Sequence, residues 1–188
     1  MARRILAGAL LVAAIVLFLR GNPSRDAATV VAARHDLSPG RVLSVDDVHL
    51  VEIPAGTVPE GAITVADDVV GHTLAGPRRG GEVFTDLAVL NPRLTAAAAG
   101  IADARVVPVR LADPKVADLL REGDRVDVLT ASDDTQATLA TDAAVILVSA
   151  GESDRDRTDR VVLLALPNEE AKKVAGASLT NALAVVLR

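Results

Sequence analysis

His35, His49 and His72 are the only imidazoles in a chain of 188 residues that has no cysteine. A metal-holding pair on one helix face needs the spacing i, i+3 or i, i+4, and no two of these histidines have it. His49 alternates with apolar Leu50, Val51 and Ile53, as a residue on the solvated face of a strand does. The aspartate pairs Asp46-Asp47, Asp67-Asp68 and Asp133-Asp134 carry the charge that acid–base work or calcium requires. Adjacent side chains diverge, however, and Ser44-x-x-Asp47 and Thr64-x-x-Asp67 each have the pattern of a capping box opening one helical turn. Arg78-Arg79-Gly80-Gly81, after Pro77, can offer backbone N–H groups and guanidinium to an anion. The simpler reading is a tight basic turn. No phosphate-cradling glycine loop, Gly-x-Ser-x-Gly elbow or His-Glu-x-x-His pair occurs. The expectation is a protein that is not an enzyme, with no catalytic set, cofactor, metal or small-molecule substrate.

The elements that would position any site are built from small side chains. Half of the residues are apolar, yet Phe18 and Phe84 are the only aromatics. Such a chain can bury a core but lacks the rings that stack on bases and anchor tight interfaces. Lys and Arg number 20 against 25 Asp and Glu. Arg3, Arg4 and Arg20 account for three of the cations, so the rest of the chain is distinctly acidic and nucleic acid is not an expected partner. Absent thiols exclude disulfides and a cysteine–zinc site.

Arg3-Arg4 precede an uncharged run from residue 5 to residue 19, closed by Arg20. Its apolar members include Ile5, Leu6, Leu10, Leu11, Val12, Ile15, Val16, Leu17, Phe18 and Leu19. At about 1.5 Å per residue the run covers roughly 22 Å, short of the ~30 Å hydrocarbon layer. A cleaved signal peptide fits the length, but no Ala-x-Ala pattern follows it. A core helix would be apolar on one stripe, and this run is apolar all round. The reading carried forward is an N-terminal transmembrane helix, with snorkelling arginines covering the shortfall. It places the chain in the cytoplasmic membrane as a single-pass protein, its bulk extracytoplasmic.

Residues 1–28 are then anchor and exit linker. From 29 to 90 very short strands alternate with turns; 29–33 and 49–53 read as strands. A faint repeat is present, Gly40-Arg41-Val42-Leu43-Ser44 recurring as Gly81-Glu82-Val83-Phe84-Thr85. Residues 91–100, Asn-Pro-Arg-Leu-Thr followed by four alanines and a glycine, read as a linker. In 101–188, residues 106–111 form a strand demoted toward an edge by Pro108. Asp113-Pro114 opens a short helix with Val116, Leu119 and Leu120 on one face, and Gly123 ends it. The period then switches to two, with Val126 and Val128 facing inward and Arg125 and Asp127 outward, able to pair across to neighbouring strands. Further strands are predicted at 137–139, 143–148, 160–166 and 183–187. A mobile polar tip is expected at 151–159, and Asn168 caps a helix. The fold class is α+β, mostly β, with a mixed sheet in the second unit.

Two blocks in this order resemble the CpaB/RcpC family of Flp (Tad) pilus assembly proteins. The first is Val31-Ala32-Ala33-Arg34 with Asp36-Leu37, Gly40, Leu43, Asp46-Asp47-Val48, Pro54, Pro59-Glu60-Gly61, Val70-Gly71 and Gly81-Glu82-Val83. It is similar to a SAF domain, a β-clip module. The second is Leu120 through Gly123-Asp124-Arg125-Val126-Asp127-Val128-Leu129, with the strands at 160–167 and 183–188. The resemblance makes Gly40, Asp47, Gly71, Gly81, Gly123, Asp124, Arg125, Val126 and Asp127 structural motif positions. It departs at Glu122, where relatives carry proline. It implies a SAF domain at 29–90 and a CpaB/RcpC-like α+β domain at 101–188. The implied function is non-catalytic, membrane-anchored docking to other pilus-assembly proteins, with a homo-oligomer possible. The alternative is a cell-wall or carbohydrate-binding SAF module, against which the missing Trp and Tyr count.

Overall fold

The computed structural model describes residues 2–20, 27–132, 135–149 and 160–188. The exit segment 21–26, the Asp133-Asp134 pair and the polar stretch 151–159 lie outside the described residues. Helix α1 spans Ala2–Arg20. Its described apolar side chains, Leu10, Leu11, Val12, Ile15 and Val16, are all exposed. At 100° per residue these positions point to every side of the helix, so no stripe is reserved for a core. Among the described residues no helix is long and apolar enough to cross a membrane. The expected N-terminal transmembrane helix is therefore not a span by length and apolarity; the 19-residue helix has Arg3 and Arg4 inside its first turn.

Strands β1 (Ala27–Ala33) and β2 (Val48–Pro54) pair antiparallel, with Ala27 opposite Pro54 and Ala33 opposite Val48. The remainder of this unit is turns stitched by isolated bridges such as Ala32–Val83 and Val42–Thr73. Its core gathers Val31, Leu37, Leu43, Val69, Leu74, Phe84 and Val89. The faint repeat is real in three dimensions. Gly40 and Gly81 both take positive φ, 79° and 88°, and three residues later Leu43 and Phe84 both turn inward to burial.

Residues 91–100, expected as a linker, instead make helix α2 (Pro92–Ala99), with Asn91 accepting from Leu94 N–H at 2.9 Å and Gly100 closing it at φ 72°. Leu94, Ala98 and Ala99 pack on Ala144, Ile146, Leu147 and Ala165. Four alanines read as a spacer, but alanine is also the best helix former and lets a helix sit close on a sheet.

The second unit is a five-stranded sheet of order β3-β6-β5-β4-β7, comprising β3 (Ala104–Val109), β4 (Arg125–Ser132), β5 (Thr135–Val148), β6 (Val162–Pro167) and β7 (Leu183–Leu187). All of its strand pairs are antiparallel. The expected mixed sheet is corrected to an antiparallel one; its parallel element is one isolated bridge, Leu111 to Leu183, where the two edges approach. Helix α3 (Asn168–Ala177) and a 3-10 turn at Pro114–Asp118 cover the enclosed core of Val107, Val109, Leu120, Val126, Val128, Val145, Leu164, Leu166 and Leu183.

Four local expectations are corrected. The two short strands at 137–139 and 143–148 are one strand, β5, bulged where Asp142 takes φ 57°; a bulge changes the pleat without breaking the ladder. Asn168 lies inside α3, and Pro167 is the N-cap. The 3-10 turn after Asp113 ends at Leu119, and Leu119 is exposed while Leu120 is buried. At three residues per turn i and i+3 align, so the buried stripe is Ala117–Leu120 and Leu119 stacks over half-exposed Val116. Thr64 caps nothing, because the turn it precedes starts at Ala66 with Val65 as N-cap.

Phe84 is fully buried and is the only ring in its core. Phe84→Ala is expected to cost about 3–5 kcal/mol, read as a shifted urea midpoint by far-UV circular dichroism. A loss below about 1 kcal/mol would contradict this account of the core.

Candidate functional site

The most concentrated polar chemistry in the first unit surrounds Asp47, which is 0% exposed. Its Oδ2 accepts from Ser44 N–H at 2.8 Å, from the Ser44 hydroxyl at 2.7 Å and from Arg41 Nε at 3.2 Å. The expected capping box between Ser44 and Asp47 is present, and the Ser44 hydroxyl also donates to the carboxylate. Oδ1 has no aligned hydrogen bond; the Arg41 guanidinium lies 2.9 Å away at Nη2 and His35 Nε2 3.3 Å away. Burial pushes the Asp47 carboxyl up, but the Ser44 hydroxyl, the Ser44 N–H and Arg41 outweigh it, and it titrates below the ordinary 3.8. The residue's own carbonyl accepts from Arg34 N–H at 2.8 Å, so the network fixes the chain leaving β1.

Beside it lies the basic turn. Arg79 Nη1 donates to Asp36 Oδ2 at 2.9 Å and Gly80 N–H to Asp36 Oδ1 at 3.0 Å. These two bonds, the backbone one first, lower the Asp36 carboxyl. A carboxylate of the chain itself thus occupies the donors that an external anion would use. A Cβ on Gly80 would stand 3.2 Å from the His35 Cα, so only glycine lets the turn close this tightly.

In the second unit the Gly123–Asp127 block is a turn feeding a strand. Gly123, at φ 93°, donates to Val145 O at 2.8 Å; it serves the turn into β4 and does not end the 3-10 turn as expected. Asp124 Oδ2 accepts from Arg121 N–H at 2.7 Å. Val126 is buried, while Arg125 and Asp127 project outward to the bulge in β5. Asp142 N–H donates to Asp127 Oδ1 at 2.9 Å, and Arg125 Nη1 lies 3.6 Å from Asp142 Oδ2. Arg125 Nη2 also donates to Ala98 O at 2.8 Å, placing a cation at the C-terminal carbonyls of α2, where the helix dipole favours it.

The units meet along a seam. A Cβ on Gly40 would lie 3.9 Å from Leu147 Cδ2, and one on Gly76 3.9 Å from Glu122 Oε2. A cleft of about 320 Å³ opens there between Ala75, Leu87, Leu94, Glu122, Arg125 and Ile146. Partial burial raises the Glu122 carboxyl above its ordinary 4.5. Proline, the resemblance's residue at this position, would bring no charge to the seam.

The motif positions therefore fall in two groups. Gly40, Asp47, Gly71 and Gly81 build the turns of the first unit, where Gly71 N–H donates to Leu43 O at 2.8 Å. Gly123 through Asp127 pin β4, β5 and α2 together. His72 is exposed. His49, expected on the solvated face of its strand, instead shares the more covered face of β2 with Val51 and Ile53, and its Nδ1 has no partner among the described residues. Among the described residues no three potential ligands gather as a metal site. Asp142 was missed; its signal was an aspartate, tolerant of left-handed backbone, between two apolar runs.

Residues 28–90 match the SAF domain. The match covers the β1–β2 unit and stops at the cap of α2. No curated protein and no solved structure matches the chain.

Asp47→Asn keeps the shape and removes the charge that faces Arg41. A loss of about 2–3 kcal/mol at pH 7 is expected. Because the folded carboxyl is lowered, its stabilisation is present above 3.8 and is lost as pH falls through the lower folded value. The difference between wild type and variant in thermal melts should shrink below pH 4. A difference that persists undiminished there would refute the ionic account. For Glu122 the sign reverses. Its raised carboxyl costs stability above the folded value and regains it as pH falls. Glu122→Gln is therefore expected to melt higher than wild type at pH 7 and to lose that advantage in acid; a lower melting temperature at pH 7 would count against it.

Proposed function

We propose that this chain is a non-catalytic docking protein of a Flp/Tad-type pilus assembly machine, tethered to the cytoplasmic membrane through α1 with its two packed units outside. The observation that carries the proposal is order: a helix whose described apolar side chains are all exposed, a SAF domain at 28–90, then the Gly123–Asp127 block on a small antiparallel sheet. That order is what resembles the CpaB/RcpC family. The physical support for tethering is that Leu10, Leu11, Val12, Ile15 and Val16 of α1 are exposed, so an apolar phase outside the chain is their natural partner. Its shortness is met by arginines reaching the interface and by local thinning of the bilayer. The contacts with other pilus proteins would run through sheet edges and turn surfaces, which give specificity through backbone geometry without a binding pocket.

Deleting the gene is expected to abolish surface pili while pilin synthesis continues, scored by electron microscopy and pilin immunoblot of whole cells. In the same cells the full-length chain should stay with membranes after alkaline carbonate washing. Normal piliation in the deletion strain sinks the assembly role. Recovery of the intact chain in the cytosol sinks the tether. Saturable binding to peptidoglycan or glycans, with piliation unaffected, would transfer the reading to a carbohydrate-binding SAF module.

A further inference from the structure

The five-stranded sheet ends in two unlike edges. At one edge β3 carries Pro108, which has no N–H to offer a new strand. At the other, β7 is paired with β4 alone, apart from the Leu111 bridge at its first residue. The direction of its backbone groups follows from two hydrogen bonds. Arg188 N–H donates inward to Arg125 O at 3.0 Å, and Leu183 O accepts outward from Ala112 N–H at 2.8 Å. In an antiparallel ladder the sense alternates, so residues 184, 186 and 188 bond β4 while Val185 and Leu187 turn their N–H and C=O groups to the open side. Those groups have no partner strand among the described residues. The side chains beside them are apolar: Val186 and Leu187 are about half exposed, Ala184 is exposed, and Val185 packs against the core. None of the devices that blunt an edge, such as lysine, proline or a bulge, occurs from Leu183 to Leu187.

We propose that β7 pairs antiparallel with β7 of a second copy of this chain, about a two-fold axis through Val186. Of the two-fold registers this one pairs every outward group of Val185 and Leu187. An axis at Val185 meets Leu183 O already bonded to Ala112, and an axis at Leu187 leaves Val185 unpaired. Val185 and Leu187 of one copy meet Leu187 and Val185 of the other through their outward groups, and Val186 faces Val186 in the close, non-hydrogen-bonded position. Arg188 then falls opposite Ala184, so no like charges oppose each other across the pair, which matters for a body as acidic as this one. The exposed Leu187 is covered by Val185 of the second copy. The contact is isologous and closes at two subunits. Five residues per side bury less than the ~800 Å² per partner of a standard interface. The pairing is accordingly weak in dilute solution and strengthened wherever copies are concentrated on one surface. It stands independently of the pilus reading.

The absence of cysteine makes the test clean. In the axis register the Val186 Cα atoms lie about 4.5 Å apart, inside disulfide reach, whereas the Ala184 atoms are separated by four residues, roughly 13 Å. Full-length Val186→Cys, purified in detergent at high concentration and oxidised, is expected to give covalent dimer at least roughly tenfold above Ala184→Cys. Adding Val185→Pro, which deletes an outward N–H and leaves the β4 bonds, should lower that yield. So should Ala184→Arg, which opposes Arg188 and serves if the proline variant misfolds. Equal cross-linking at 184 and 186, or a yield indifferent to both second changes, overturns the pairing. A Val186→Cys adduct in cells that contains a different protein and no dimer assigns the edge to a foreign strand and likewise overturns it.

Discussion

Everything else in the described body depends on the seat of α2 on the outer face of β5 and β6. Leu94, Ala98 and Ala99 lie against Ala144, Ile146, Leu147 and Ala165, and small residues on both sides let helix and sheet approach closely. Arg125 locks the far end by donating to Ala98 O. A unit of some sixty residues buries a modest share of its surface, and this one has one aromatic ring and a single two-stranded ladder of its own. Packed through α2 against a larger neighbour, it gains apolar cover that it cannot supply itself. The two units consequently present their surfaces in one fixed relation, which a docking protein requires.

Charge is used in two opposite ways on either side of that seat. Asp47 is fully buried and surrounded by Ser44, Arg41 and His35, so its charge is compensated and its network specifies the path of the chain. A carboxylate is tolerated at 0% exposure because these donors compensate it, and removing one of them would leave the buried charge stranded. Glu122 is partly covered without compensation, and burial alone moves its carboxyl. The first arrangement is structural. The second leaves the seam less tightly held than proline at that position would, and open to tuning by acidity.

Legibility in the sequence followed the range of the interaction. Strands β1 and β2 were readable from short apolar runs bounded by turn residues, which are local signals, and Val126 and Val128 went inward as their period required. The repeat was readable because Gly40 and Gly81 each perform a backbone conformation that other residues resist. The sheet's antiparallel pairing was not readable, because it joins strands far apart in the chain, Ala104 opposite Pro167 and Val126 opposite Leu187. The run of alanines around α2 was misread since alanine carries no pattern: whether it spaces or packs is decided by Ala144 and Ala165, far away in the chain. Asp142 hid for the same reason, its role being fixed by Asp127 and Arg125 on the next strand.

The site that emerges is a set of surfaces, and its composition constrains what it can grip. Without Trp or Tyr, and with Phe84 wholly internal, the described body has no rigid ring to bury in a partner's pocket. Its basic turn is already occupied by Asp36. Side-chain anchoring is thus weak across most of the surface, and the backbone is left as the stronger recognition element. Backbone recognition needs an open ladder, and the order β3-β6-β5-β4-β7 leaves one edge carrying proline and the other carrying only Ala, Val and Leu. A protein so poor in aromatic side chains therefore concentrates its capacity for contact at a strand edge, where small residues are an advantage because they let a second backbone come close.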